Sequence, residues 1–350
     1  MSDTIEPHLA ATVAALLVPG KGILAADESF PTIGKRFAAL NIPSTEEENR
    51  RAYRELLFTT PHLNECISGA ILQDETTSQR TRMGESLPGV LTSRGIVPGV
   101  KVDGGTTGLA NFAGEKITRG LDGLRERLLK YRELGARFTK WRAVIAIGEG
   151  LPTATCIAAN ARVLALFAAR SQEAGLVPIV EPEVLIDGNH TIARCEEITQ
   201  CTLQTVFAKL AEHRVVLEGM LLKTGMVLSG KDCPQQAEVG QMAEATRRCL
   251  QRAVPAAVPG IVFLSGGQAD VAATERLNAI CQMGGAPWAL SFSFGRALQD
   301  AAMKTWRGVP ANVAAAQAAL HHRAQCNGLA VQGMYSEEAE REGPAQSTVK

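Results

Sequence analysis

The chain has 350 residues, 45% of them hydrophobic and 21% charged, ordinary proportions for a protein with a substantial core. Its 36 basic residues balance 36 acidic ones, so no overall field draws it to nucleic acid or an anionic membrane, and any anion site must be local. Eight cysteines and six histidines show no metal-ligand or redox spacing, no apolar run reaches membrane-spanning length, and Met1-Ser2-Asp3-Thr4 begins no secretory or transit signal, so the expectation is a cytoplasmic enzyme with reduced thiols and no metal.

Residues 3–18 carry Leu9, Val13, Leu16 and Leu17 on one stripe before Pro19-Gly20, which predicts a lead-in helix. Strand-like apolar runs ending in polar residues then recur eight times, at 22–27, 67–74, 97–103, 138–148, 177–181, 215–223, 260–265 and 289–294. Helical periodicity follows most of them, most clearly over 119–136, 153–174, 190–213, 234–253, 268–283 and 310–330. Eight strand-helix units predict an α/β fold closed as a (β/α)8 TIM barrel rather than an open doubly wound sheet. The second unit is the weak one, because between Asp74 and Val97 only 86–94 can hold a short helix. No linker splits the chain, so 1–335 reads as a single barrel domain, and the polar composition of 336–350 predicts a mobile C-terminal tail.

The stretch Leu217-Glu218-Gly219-Met220-Leu221-Leu222-Lys223-Thr224-Gly225 reads as a buried strand closed by a lysine. Burial disfavours the ammonium, lowers its pKa and makes it a nucleophile able to form an imine with a ketone. The plainer reading is a lysine whose stem lies on apolar surface while its head reaches water. In Lys140-Trp141-Arg142 the two cations face one side of a strand, and if that side is the lumen Lys140 lowers the pKa of Lys223 further; otherwise both reach solvent at a strand start. Glu181 and Glu183 share one face of the fifth strand, so each is expected to raise the other's pKa and leave one as a working acid, unless one pairs with a barrel lysine. Asp27 and Glu28 close the first strand, where Asp27 can also serve as a helix cap.

Phe263-Leu264-Ser265-Gly266-Gly267-Gln268 runs from strand to helix through two glycines whose backbone can approach an anion, and Ser291-Phe292-Ser293-Phe294-Gly295-Arg296 adds serines, a glycine and a guanidinium at the next rim position. Their places after strands seven and eight are where barrels often bind phosphate.

Taken in order, Ala25-Ala26-Asp27-Glu28-Ser29, Val100-Lys101-Val102-Asp103, Lys140-Trp141-Arg142, Ile179-Val180-Glu181-Pro182-Glu183, Leu221-Leu222-Lys223, the Ser265-Gly266-Gly267 turn and Gly295-Arg296-Ala297-Leu298-Gln299 resemble the class I, Schiff-base fructose-bisphosphate aldolases over about residues 8–335. The resemblance implies reversible, cofactor-free cleavage of fructose 1,6-bisphosphate into dihydroxyacetone phosphate and glyceraldehyde 3-phosphate in glycolysis and gluconeogenesis. By the same resemblance Lys223 matches the Schiff-base lysine, Glu181 the carboxylate that moves protons during imine formation, Asp27 the aspartate that assists carbon-carbon cleavage, and Lys140 the lysine beside the ketone. Ser265, Gly266, Gly267, Ser293, Gly295 and Arg296 match the site for the phosphate next to the ketone. Lys101 and Arg36, with Ser29, Arg50, Arg142 and Glu183, are expected toward the other phosphate or the sugar hydroxyls. The implied partners are phosphorylated ketoses and trioses, with no nucleic acid and no membrane, and a homo-oligomer, a tetramer, is implied by the resemblance alone. Thr224-Gly225 stands where the family usually has proline-asparagine, Phe294 where it often has tyrosine, and Ser347-Thr348-Val349-Lys350 lacks the tyrosine of animal members, which leaves open what assists proton exchange at the enamine carbon. The alternatives are a Schiff-base aldolase for another sugar phosphate, or a non-catalytic scaffold that keeps the fold.

Overall fold

The computed structural model describes residues 6–43 and 46–342. Within them the chain forms β1 (Gly22–Ala26), β2 (Ile67–Leu72), β3 (Val97–Lys101), β4 (Thr106–Gly108), β5 (Lys116–Thr118), β6 (Phe138–Ile145), β7 (Val177–Val184), β8 (Leu221–Thr224), β9 (Gly260–Phe263) and β10 (Ala289–Phe294). Eight of these strands close a barrel in the order β1-β10-β9-β8-β7-β6-β3-β2, every neighbouring pair parallel, and β4 and β5 form a separate antiparallel hairpin. This is the (β/α)8 architecture the alternation predicts.

Two apolar layers hold it. Inside, Ile23, Ala25, Ile71, Phe138, Val177, Ile179, Leu221 and Val262 pack with Leu9, Val13 and Leu16 of the lead-in helix Pro7–Leu16, which closes the barrel at the strand N-termini. That fit needs bare backbone: a Cβ on Gly69 would lie 2.6 Å from Leu16, one on Gly260 2.4 Å from Leu17, and one on Gly99 2.3 Å from the Phe138 ring. Outside, alternate residues face the helices, as where fully buried Trp141 packs on Phe167 of helix Ala154–Glu173 with ring centroids 5.5 Å apart.

Four local readings change. The sixth barrel strand starts at Leu221 rather than 215, because Leu217–Gly219 turns as a 3-10 helix and only then does the chain extend. The weak second unit holds two short helices, Asp74–Ser78 and Leu87–Ser93, the latter capped by the Ser86 hydroxyl accepting from the Gly89 amide. Helices Phe30–Ala38, Glu47–Phe58 and Arg296–Trp306 add to those predicted, and their rings Phe37, Tyr53 and Trp306 pack as one cluster with centroids 5.4 to 6.0 Å apart. The polar segment after 335 does not start free: Glu337–Arg341 is helical, and Glu340 takes a hydrogen bond from Tyr335 Oη at 2.7 Å and pairs with buried Arg323. The buried Arg323 guanidinium and the Tyr335 hydroxyl together supply the anchor that the segment's few apolar residues cannot. Residues 343–350 of the expected tail lie outside the described residues.

Candidate active site

Parallel pairing of Ile179 with Leu221 places the residues two steps on, Glu181 and Lys223, side by side on the inner face, and pairing of Lys101 with Lys140 does the same across β3 and β6. Just past the end of β1, Asp27 follows the inward Ala25 on the same face. The result is a compact ionic group above an apolar floor. Lys140 Nζ lies 2.8 Å from Asp27 Oδ2 and 2.7 Å from Glu181 Oε2, while Lys223 Nζ has one carboxylate oxygen, Glu181 Oε1, at 3.2 Å. Lys140, Glu181 and Lys223 are each 3% exposed, so water cannot replace any of these partners.

This asymmetry separates the two lysines. Burial works against the charge of Lys140, but Asp27 and then Glu181 outweigh it and hold its ammonium above the usual lysine pKa. For Lys223 burial wins: its single contact with Glu181 does not compensate, the nearby Lys140 charge adds to the effect, and its pKa is lowered. One lysine is thus a fixed cation and its neighbour a latent nucleophile. Asp27 sits below the ordinary carboxylate range, because Lys140, Lys223 and Lys101 overcome the cost of burying it.

The expectation that Glu181 and Glu183 raise each other's pKa is corrected. Burial does push Glu181 upward, but Lys140 and Lys223 on its oxygens reverse the sign and hold it low, while Glu183 pairs with Arg142. Glu181 therefore starts as a proton acceptor, not as a neutral acid.

These groups form the base of a cavity of about 880 Å³. Ser265, Gly266, Gly295 and Arg296 line one flank; Ser29, Arg36, Lys101 and Arg142 line the other, together with Glu183. Gly266 and Gly267 have φ of +55° and +88°, the left-handed region glycine favours, which lets the chain turn sharply after β9. Three predicted residues stand back from the cavity. Gly267 lies behind the turn. Ser293 is fully buried, with no hydrogen-bond partner for its hydroxyl. Arg50 makes a two-point contact with Glu75 at 3.0 and 2.6 Å and lies over the Phe30 ring. The cations of the second flank are held by acids: Lys101 Nζ lies 2.6 Å from Asp103 Oδ1, and Arg36 engages Glu28 and, at 2.8 Å, Asp300. Lys35, Gln73 and Thr106 also line the cavity and were not singled out from the sequence. The Gly104-Gly105 pair before Thr106 was the available signal for a turn there.

A smaller cavity of about 290 Å³, elsewhere on the barrel, is lined by His322 and Cys326. Those two residues and Glu340 place ligand atoms within 4.8 Å of one another. The Glu340 carboxylate is already taken by Arg323 and Tyr335, so the cluster reads as the seat of the Glu337–Arg341 helix.

Replacing Lys140 with methionine removes a like charge from beside Lys223 and leaves Asp27 and Glu181 to act on Lys223 alone. Both effects raise the Lys223 pKa, so if Lys223 forms the imine, the pH profile of its formation is expected to move to higher pH. Reductive trapping measured across pH checks this; an unmoved profile means Lys140 exerts no electrostatic control over Lys223.

The family described as fructose-bisphosphate aldolase class-I matches residues 8–350. A probable fructose-bisphosphate aldolase class 1 of Xanthomonas axonopodis pv. citri is 55% identical over 329 residues, covering 94% of this chain and 98% of the relative. A fructose-bisphosphate aldolase of Dictyostelium discoideum is 50% identical over 341 residues, covering 97% of this chain and 95% of that protein. Among solved structures, that of a Plasmodium falciparum fructose-bisphosphate aldolase, in complex with TRAP and a small-molecule inhibitor, superposes with a TM-score of 0.93 at 45% identity, over 96% of this chain and 99% of that one.

Proposed function

We propose that this chain, which belongs to the class I fructose-bisphosphate aldolase family and is an aldehyde-lyase, cleaves fructose 1,6-bisphosphate reversibly to dihydroxyacetone phosphate and glyceraldehyde 3-phosphate through an imine on Lys223. The observation that carries this reading is the pair of buried lysines on one glutamate, of which Lys140 has two carboxylate partners and Lys223 one.

In this mechanism Glu181 takes a proton from the Lys223 ammonium, 3.2 Å away, and the freed amine adds to the ketone carbon. Glu181 returns that proton to the oxygen of the adduct, takes a second from the adduct nitrogen and delivers it to the same oxygen, which leaves as water, and a protonated imine remains. Its positive nitrogen accepts the electron pair of the breaking carbon-carbon bond. Asp27 takes the proton from the hydroxyl that becomes the aldehyde, glyceraldehyde 3-phosphate departs, and the enamine left on Lys223 is protonated at carbon and hydrolysed. Lys140 bridges Asp27 and Glu181, so a proton arriving on one carboxylate is offset by a stronger bond from the ammonium to the other.

The imine is the electron sink, so the proposed chemistry calls on neither metal nor cofactor. Ser265, Gly266, Gly295 and Arg296 are assigned to the phosphate beside the ketone, with Gly267 and Ser293 supporting that turn from behind. Lys101, Arg36, Ser29, Arg142 and Glu183 are assigned to the other end of the substrate, where their acidic partners must yield to phosphate or hydroxyls. Arg50 orders that rim through Glu75 and Phe30. A cytosolic homo-oligomer is the proposed form, its location supported by a cytosolic aldolase of Arabidopsis thaliana that is 50% identical over 342 residues and its assembly by the family resemblance alone. Among the described residues no helix is long and apolar enough to cross a membrane. Cleavage of fructose 1,6-bisphosphate in excess EDTA tests the chemistry. The rate is expected to persist; its loss, with recovery on adding a divalent cation, rules out the imine as the sole electron sink.

A further inference from the structure

The glycine behind the phosphate turn shows a second cation. Arg296 Nη2 lies 2.9 Å, and Lys231 Nζ 3.2 Å, from the point where a Cβ on Gly267 would sit. Two positive nitrogens therefore converge on one spot of the turn, and Gly267 is the residue that leaves them room. Lys231 lines a second cavity of about 210 Å³, one wall of which is Gly267. The backbone on which Lys231 sits is pinned to the loop after β7. The amides of Gly230, Lys231 and Asp232 donate to the carbonyls of His190, Ile186 and Gly188 at 2.8, 2.8 and 2.9 Å. The backbone is fixed while the side chain is not: Lys231 Nζ lies 3.0 Å from Asp187 Oδ1, with the two side chains 45% and 66% exposed, and an ion pair so open to water is easily exchanged.

A phosphate monoester carries close to two negative charges at neutral pH. Arg296 supplies one positive charge and has no carboxylate within ion-pair distance among the described residues. We propose that Lys231 is a specificity-determining residue for the ketone-side phosphate, exchanged from Asp187 onto the ligand across Gly267 when a phosphorylated ketone binds. A lysine suits this task, because its ammonium is a mobile point charge, whereas the planar guanidinium of Arg296 offers a two-point fork. The inference rests on reading the flank of Ser265 and Arg296 as a phosphate subsite.

The test is the concentration of dihydroxyacetone phosphate that half-saturates borohydride inactivation, measured for the whole protein and for Lys231→Gln, Asp187→Asn and Arg296→Ala, with unphosphorylated dihydroxyacetone as the paired probe. Lys231→Gln is expected to raise that concentration by about 3- to 10-fold, the loss of one charge-assisted contact, while leaving dihydroxyacetone unaffected. Its effect is expected to shrink as salt is added. Asp187→Asn, which frees the ammonium, is expected to lower it. An unchanged value in Lys231→Gln beside a raised one in Arg296→Ala overturns the role of Lys231 and keeps the subsite. Equal losses for both ketones show a merely structural lysine and also overturn it. An unchanged value in Arg296→Ala removes the subsite itself, and the Lys231 assignment with it.

Discussion

Lys223→Met is expected to lower the rate of fructose 1,6-bisphosphate cleavage by at least about 10⁵-fold, the scale seen when a covalent nucleophile is removed, or roughly 7 kcal/mol of barrier. The fold should survive. Methionine fills nearly the same volume among the buried neighbours, and Glu181 is not orphaned, because Lys140 stays 2.7 Å from its second oxygen. Steady-state cleavage and thermal unfolding of the same preparation check both halves. A folded variant within a hundredfold of the parent means that another group forms the intermediate.

Glu181→Gln is expected to cost about 10²- to 10⁴-fold in the rate of imine formation, because the amide keeps the shape but carries no proton between amine and adduct. Its pH behaviour has a definite sign. In the parent, Glu181 opposes the burial that lowers the Lys223 pKa; without that anion the pKa falls further and the neutral amine persists to lower pH. The profile of residual imine formation should therefore move to lower pH, opposite to the shift expected for Lys140→Met. Pre-steady-state trapping across pH separates the two variants, and shifts of the same sign in both contradict the arrangement of two lysines on one glutamate.

The barrel was legible because its strands are short apolar runs each ended by a polar residue. Val177, Ile179 and Glu181 alternate inward on one strand as Leu221 and Lys223 do on another, and sequence shows that period directly. What sequence does not show is register. Only closure of the sheet puts Ile179 opposite Leu221, and with it one glutamate between two lysines; this is why carboxylates two apart suggested mutual repulsion when each has its own cation. Pairings across the whole chain were equally hidden: Arg36 is held by Asp300, 264 positions away, and Lys140 by Asp27, 113 positions away. The hairpin of β4 and β5 was missed because three-residue strands are too short for a period to register. The docked start of the C-terminal segment was missed because a buried arginine and a tyrosine hydroxyl, rather than apolar surface, anchor it.

The most direct measurement is borohydride trapping in the presence of dihydroxyacetone phosphate and EDTA, followed by peptide mapping. The account predicts irreversible inactivation with one reduced adduct per chain, on Lys223, whose lowered pKa and single carboxylate contact make it the available amine. An adduct on Lys140 or elsewhere, or a protein that keeps its activity after borohydride, would contradict it.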